Sequence, residues 1–501
     1  MGKTPALQAT SLFRTHPHLY EINTWAWIEE ITRRYDRPVC LGSVPEEEWD
    51  KFKQMGFDAI WLMGVWKRSV AGRTIFRTDL GAFAAFDAAL PGWTLADVVG
   101  SPYAIGDYVP DPHFGGWDDL DRARDALRRR GIRLILDFVP NHTGIDHPWV
   151  GAHPEFYVQG KLEDFRKHPS EFFLAEQGQS AAFIAHGKDP YFPAWPDTAQ
   201  LNYYNPALRE AMLGILRSIA LHADGIRCDM AMLPLNDVFA RTWGSLLAGF
   251  KTPQEEFWPA AVALLPNFVW IGEVYWDLEW RMQQLGMTYT YDKRLYDRLR
   301  SCPPAEVRLH LKAGPGYQSR LVRFLENHDE ARAVQAFGRE KLRAAATLAA
   351  TLPGMRFYHE GQLEGKKLHL PIQLRRAANE TPDPEIQALY SKLLAMTQEK
   401  VFHEGEWKLL DATPAGDTSF DNLIAYQWQT ADALKVVVAN LSQDPSRGQL
   451  LLSSRPRRRG RCVFFDQLSG KSYEQDGRDF AENGLAINLD GFGSQILDLS
   501  P

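Results

Sequence analysis

The sequence predicts an α/β protein built on a closed (β/α)8 TIM barrel, with a short inserted loop subdomain after the third strand and a C-terminal antiparallel β-sandwich. Three observations carry this. Between Leu19 and His359 one syntax recurs, an amphipathic helix ending near a glycine and then a β-rich run. Eight such runs occur, the number a closed barrel needs. Beyond about Glu404 the helical period gives way to alternating apolar segments separated by turn residues, as in a sandwich. The expected domains are therefore 1–403 for the barrel, with 141–202 as its insertion, and 404–501 for the sandwich. A doubly wound open sheet competes, but no Gly-x-Gly-x-x-Gly turn follows an early strand.

Taken in order, Leu19 to Asn23 is the first strand. Ser43 to Met55 sets Trp49, Phe52 and Met55 on one helical face, Gly56 stops it, and Ala59 to Met63 is the second strand. Asp119 to Arg130 has acids in its first turn and arginines in its last, the order the helix dipole favours, and Gly131 closes it before the strand Arg133 to Val139. Asn205-Pro206 is a cap and first-turn proline opening a helix with Leu208, Met212, Ile215, Leu216 and Ile219 inward. That helix leads into Asp224 to Met230, the fourth strand. The helical stretch Gln254 to Leu265 precedes Phe268 to Tyr275, and Met287 to Tyr291, Leu321 to Glu326 and Met355 to His359 complete the set. Two connections, Val65 to Gly116 and Asn141 to about Asn202, are too long for turns and are expected to line or cover a site. In the C-terminal part, Leu423 to Trp428, Leu434 to Leu441 and Gln449 to Leu452 are the clearest strands.

Composition narrows the function. A chain of 501 residues with a net charge of -7 fits a large barrel plus a smaller domain and argues against a nucleic-acid or anionic-membrane partner. The basic run Arg455 to Arg461 is read as a solvated turn. Cys40, Cys228, Cys302 and Cys462 are widely spaced, which favours a reducing compartment and gives no thiolate zinc site. Residues 1–18 lack a continuous apolar segment and no later stretch is long and apolar enough to span a bilayer, so a cytoplasmic location is expected. Sixteen tryptophans suit a large core first and a ligand cleft second.

Chemistry gathers at the C-terminal strand ends, where barrel active sites lie. The third strand runs into Asp137-Phe-Val-Pro-Asn141-His142, the fourth ends Arg227-Cys-Asp229, the fifth Gly272-Glu273-Val-Tyr275, and the seventh Glu326-Asn-His328-Asp329. Arg227 and Asp229 are two apart, so an extended strand points both to one face. A carboxylate beside a permanent cation stays ionised, as a nucleophile must. Structural ion pairs would account for one or two such ends, not for four in succession. Asp137 is read as structural. Trp66, Tyr275 and Trp276 are aromatics near the mouth and are candidates for the leaving-group side of the site.

These four segments resemble the four signature regions of the α-amylase superfamily of retaining glycoside hydrolases, in the same chain order, and the resemblance covers about Leu19 to His359. It implies Asp229 as nucleophile, Glu273 as general acid/base and Asp329 as the acid that binds substrate hydroxyls and favours a distorted ring. It implies His142 and His328 as hydrogen-bond partners of the sugar, Arg227 as the cation beside the nucleophile, Tyr103 as a stacking ring and Asp107 as the acid just beyond it. Such a pair of carboxyl groups acts by attack of one on the anomeric carbon while the other gives and recovers a proton.

Departures from the family pattern matter too. In calcium-binding members an asparagine, an acid from the inserted loop and a histidine four residues after the nucleophile hold the ion. Here Asn141 is present, the loop reads Trp195-Pro-Asp-Thr-Ala-Gln200-Leu-Asn and Leu233 replaces the histidine, so neither metal nor cofactor is expected. Met230, directly after the nucleophile position, fits neither the α-1,4 nor the α-1,6 pattern and leaves bond type open. The expected substrates are soluble malto-oligosaccharides or related α-glucosides. A transglycosylase or isomerase on the same machinery, making trehalose-like, sucrose-like or branched products, is the nearest alternative, and a silent carbohydrate-binding protein the next.

Overall fold

The computed structural model describes residues 13–177, 180–247, 249–452 and 460–499. Most of the basic run from Arg455, and residues 1–12, lie outside them. Eight parallel strands close into a barrel: β1 (His18–Asn23), β2 (Ala59–Met63), β3 (Arg133–Phe138), β4 (Gly225–Cys228), β5 (Val269–Gly272), β6 (Tyr289–Tyr291), β7 (Leu321–Arg323) and β8 (Met355–His359). Each pairs with its neighbours in chain order, and β8 closes on β1 through His18–Arg356 to Glu21–His359. Strands covered on both faces need apolar residues at nearly every position. Accordingly, all of Ala59–Met63 is buried, and β1 is buried throughout even though it carries Glu21.

The helices start and stop where capping chemistry directs. Glu46–Gln54 has three acids in its first turn and two lysines in its last, and Gly56 beyond it takes a φ of +81° that a side chain would resist. Asn205 accepts a hydrogen bond from Ala207 N at 2.9 Å and caps Pro206–His222. Strands β5 and β7 are shorter than their apolar runs suggest, ending at Gly272 and Arg323. Beyond them, Glu273 N still donates to Cys228 O at 3.0 Å, and Phe324 and Leu325 are buried in the core.

Both long connections are structured. After β2, Trp66–Arg68 pairs antiparallel with Ile105–Pro110, and the helices Val70–Phe76 and Leu80–Ala89 lie between them. Phe86, Leu90 and Val98 from this excursion pack on Leu374 from the segment after β8. After β3, a hairpin ladder of His142–Gly144 with Thr198–Gln200 carries a three-stranded sheet, Gln159–Gly160, Phe172–Gln177 and Ser180–Ala185.

Residues 406–498 form a six-stranded and a three-stranded antiparallel sheet. Period-two alternation decides what each face does. In Leu423–Gln429, Leu423 and Ala425 join the core between the sheets, while Ile424, Tyr426 and Trp428 join the barrel core. The contact with the barrel is also polar, since Trp428 Nε1 donates to Thr351 O at 2.8 Å and the Tyr426 and Thr351 hydroxyls lie 2.6 Å apart.

Gly354 enters β8 with a φ of +115°, and a Cβ there would sit 2.2 Å from Leu321 O on the adjacent strand. Backbone cannot yield as a side-chain tip can. Gly354→Ala is expected to destabilise the protein by about 2 kcal/mol or more, read as a lower urea midpoint at unchanged slope.

Candidate active site

The site is built around Arg227, whose side chain is almost completely buried inside the barrel. Its Nη1 lies 2.6 Å from Asp229 Oδ1 and its Nη2 lies 2.7 Å from Glu273 Oε2. Asp229 directly follows β4 and Glu273 directly follows β5, so the parallel register of these neighbours delivers both acids to one guanidinium. Aromatic faces surround the cation, with Trp61, Tyr103 and Tyr291 centred 5.1, 5.2 and 5.7 Å from it.

Glu273 is tightly held. Its Oε2 also accepts the Met230 backbone N–H at 2.7 Å, and its Oε1 accepts the Tyr275 hydroxyl at 2.7 Å. Met230 adopts a left-handed φ of +40° in the turn after β4. Burial pushes the Glu273 carboxyl up to about 7; Arg227 opposes the rise, and Asp229 and Asp329 add to it. Asp229 is also raised, because burial together with Asp329 outweighs the adjacent arginine. The cation beside Asp229 therefore limits the cost of burying its charge and does not abolish it.

Across the lumen stands His328, after β7. Its Nε2 is 3.0 Å from Asp329 Oδ2 and 2.8 Å from the Tyr103 hydroxyl, and its Nδ1 is 2.5 Å from Glu21 Oε1. Burial disfavours its charged form, but Asp329 and Glu21 outweigh burial and raise the imidazole well above the ordinary histidine range. Burial likewise pushes Asp329 up, yet His328 prevails and holds it at about 2. The Asp329 side chain keeps 46 % of its surface exposed, so this acid faces the open cleft.

The other expected residues divide. Tyr103 stacks on His328 with ring centres 5.3 Å apart. His142 is buried and stays neutral at about 3 because of burial, with its ring 5.2 Å from that of Trp195. Asp107 pairs opposite Lys67 on the excursion after β2. Asp137 receives Trp61 Nε1 and the Gly64 N–H on its two oxygens. Trp276 meets Tyr191 of the inserted loop edge-on at 5.0 Å. Trp66 is a correction: it is wholly buried, donates Nε1 to Asp137 O at 2.7 Å and packs on Tyr108 and Trp117, so its ring is wall and offers no face to a ligand. Sequence reasoning passed over Glu21, Trp61 and Tyr291. The signal for Glu21 was a charged residue inside the apolar run Leu19 to Asn23.

A barrel with acids gathered at the C-terminal ends of β4, β5 and β7 defines the enzyme-bearing class of this fold. Residues 46–242 match the family model described as the alpha-amylase catalytic domain. Among curated proteins it is 27% identical over 197 residues to the alpha-glucosidase of Apis mellifera, covering 37% of this chain and 30% of that one. It is 37% identical over 131 residues to the trehalose synthase/amylase TreS of Mycolicibacterium smegmatis, covering 24% of this chain and 22% of that one. The matched stretches thus span less than a third of these two relatives. The maltogenic alpha-amylase AmyB of Thermotoga neapolitana superposes with a TM-score of 0.69 at 22% identity over 97% of this chain and 99% of that one, which shows the shared fold.

The place where calcium-binding members of the family hold their ion carries different chemistry here. Asn141 Nδ2 donates to Gln200 Oε1 at 3.2 Å, and Gln200 Nε2 lies 3.0 Å from Asn141 Oδ1 and 2.9 Å from Asn141 O. Leu233, nearby in sequence to the nucleophile position, is buried hydrocarbon. Two amides that satisfy each other leave no carboxylate for a hard divalent cation, so the residues do not fit calcium. Incubation with EDTA is expected to leave the melting temperature unchanged, whereas Gln200→Ala, which orphans buried Asn141 groups, is expected to cost about 1–3 kcal/mol in chemical denaturation.

Proposed function

We propose that the chain is a retaining α-glycosidase that hydrolyses α-glucosidic bonds in malto-oligosaccharides or related α-glucosides. The observation that carries this reading is the shared guanidinium, which holds the Asp229 and Glu273 carboxyl groups side by side while Asp329 faces the same cleft. Asp229 attacks the anomeric carbon to form a β-glycosyl ester. Glu273 protonates the leaving oxygen, then takes a proton from the incoming water. The proton sits on Oε1, because Oε2 is already occupied by Arg227 and Met230 N–H, and the Tyr275 hydroxyl turns to accept it until substrate arrives. Asp329 and His328 bind sugar hydroxyls, Tyr103 closes the floor of the subsite, and His142 and Asp107 lie at its side. Tyr275 and Trp276 flank the leaving sugar.

A transglycosylase or isomerase on the same machinery is a second reading, favoured by the 37% identity over 131 residues to a trehalose synthase/amylase. The two differ in whether water or a sugar hydroxyl reaches the ester first. The four cysteines are all unpaired, which supports a cytoplasmic setting. Among the described residues no helix is long and apolar enough to cross a membrane.

Asp229→Asn is expected to lower kcat by about 10⁴-fold or more on any α-glucoside the protein turns over. Anomer-resolved NMR of maltose or maltotriose digests should show the α-anomer of glucose first; rearranged or longer sugars would favour the second reading, and the β-anomer first would exclude retention. Because Glu273 must be protonated, kcat/KM should fall as pH rises through about 7. Glu273→Gln should remove that limb.

A further inference from the structure

Glu21 is a wholly buried acid that the proposed chemistry leaves unused. It lies in the middle of β1, between Trp61 of β2 and His359 of β8 in the ladder. Its Oε1 meets His328 Nδ1 at 2.5 Å, while its Oε2 has no hydrogen-bond partner among the described residues. His359 Nε2 lies 4.0 Å from that second oxygen, and burial pushes this imidazole towards its neutral form, so it brings no counter-charge there. A buried carboxylate with one bare oxygen is costly unless its charge serves a neighbour.

We propose that Glu21 is a positioning residue, whose carboxylate keeps His328 doubly protonated so that Nε2–H holds Asp329 and the Tyr103 hydroxyl in place around the sugar. The inference rests on the glycosidase reading for its consequence and on the Glu21–His328 contact for its chemistry. A neutral imidazole bonded to a carboxylate through Nδ1–H would present a bare Nε2 to Asp329, placing a lone pair against a carboxylate 3.0 Å away. The imidazolium turns that repulsion into a charge-assisted hydrogen bond.

The groups facing His328 are on several elements. Glu21 approaches from β1, Tyr103 from the excursion after β2, and the ring edge of Trp61 from β2. Asp137 on β3 and Asp229 after β4 feel its charge, and His369 beyond β8 bonds its carbonyl oxygen. Among the described residues, only Glu21 and Asp329 touch the two ring nitrogens as anions, and of these Glu21 lies on β1 within the barrel wall.

Long-range ¹⁵N–¹H correlation spectra of histidine-labelled protein test this, with the His328 signals assigned by their loss in His328→Asn. In the wild-type protein both ring nitrogens of His328 should be protonated at pH 7; a neutral ring there would overturn the proposal without any variant being needed. In Glu21→Gln the same signals should titrate at least about one pH unit lower, and kcat/KM should fall about tenfold or more relative to wild type, with the loss growing as pH rises. A His328 titration unchanged in Glu21→Gln would sink the proposal even if activity fell. Should no α-glucoside be turned over by the wild-type protein while the spectra behave as stated, the glycosidase reading fails and the Glu21–His328 coupling stands.

Discussion

A single buried guanidinium organises this molecule. Taking Arg227 out of water costs several kcal/mol unless the charge is paired and its donors are used. Here Asp229 takes one terminal nitrogen, Glu273 the other, and the Nε lies 3.4 Å from the Tyr291 hydroxyl. The carboxyl groups depend on the cation equally, since two acids so close would repel in a lumen of low dielectric. Strands β3 to β6 are therefore committed to one register: a slip of one residue in β4 would turn Arg227 out of the barrel and leave Glu273 buried without a counter-ion.

The barrel was legible because its signals are local and repeated. Trp49 and Phe52 on one helical face, Gly56 as a stop and Ala59–Met63 as a strand each follow from short-range rules, and the structure has all three. Strand ends were harder to place. Phe268 to Tyr275 reads as one β-rich run, but the strand ends at Gly272: Glu273 N still donates to Cys228 O at 3.0 Å, while Glu273 O accepts from Ala231 N in the turn after β4. Trp276 and Asp277 then take φ values of +65° and +62°, a turn that no propensity of those two residue types foretells.

Legibility fell off further wherever a role depends on distant partners. The acids and histidines at the strand ends stood out because charged residues interrupt apolar runs at corresponding places. Trp66 was misread as a platform because an aromatic near the mouth looks the same in sequence whether it faces the cleft or the carbonyl of Asp137. Glu21 carried its own signal, an acid within an apolar strand, but its partner is 307 residues away and only closure of the barrel shows it.

The arrangement has an electrostatic consequence that links the two halves of the site. On the proposed mechanism Glu273 rests protonated, Arg227 answers Asp229, and His328 stands between Glu21 and Asp329. Two cations then face more than two carboxylates, so the lumen keeps an excess of negative charge on the side open to the cleft. Such an excess is unfavourable in the free protein: burial is the main cause of the upward shifts of Glu273 and Asp137, and the neighbouring carboxylates add to it. On that same proposed mechanism it becomes favourable when positive charge develops on an oxocarbenium-like sugar between Asp229 and Asp329. The same burial that strains the resting site thus strengthens its response to the transition state, and the shell of Trp61, Tyr103 and Tyr291 around Arg227 keeps that charge from being screened by water.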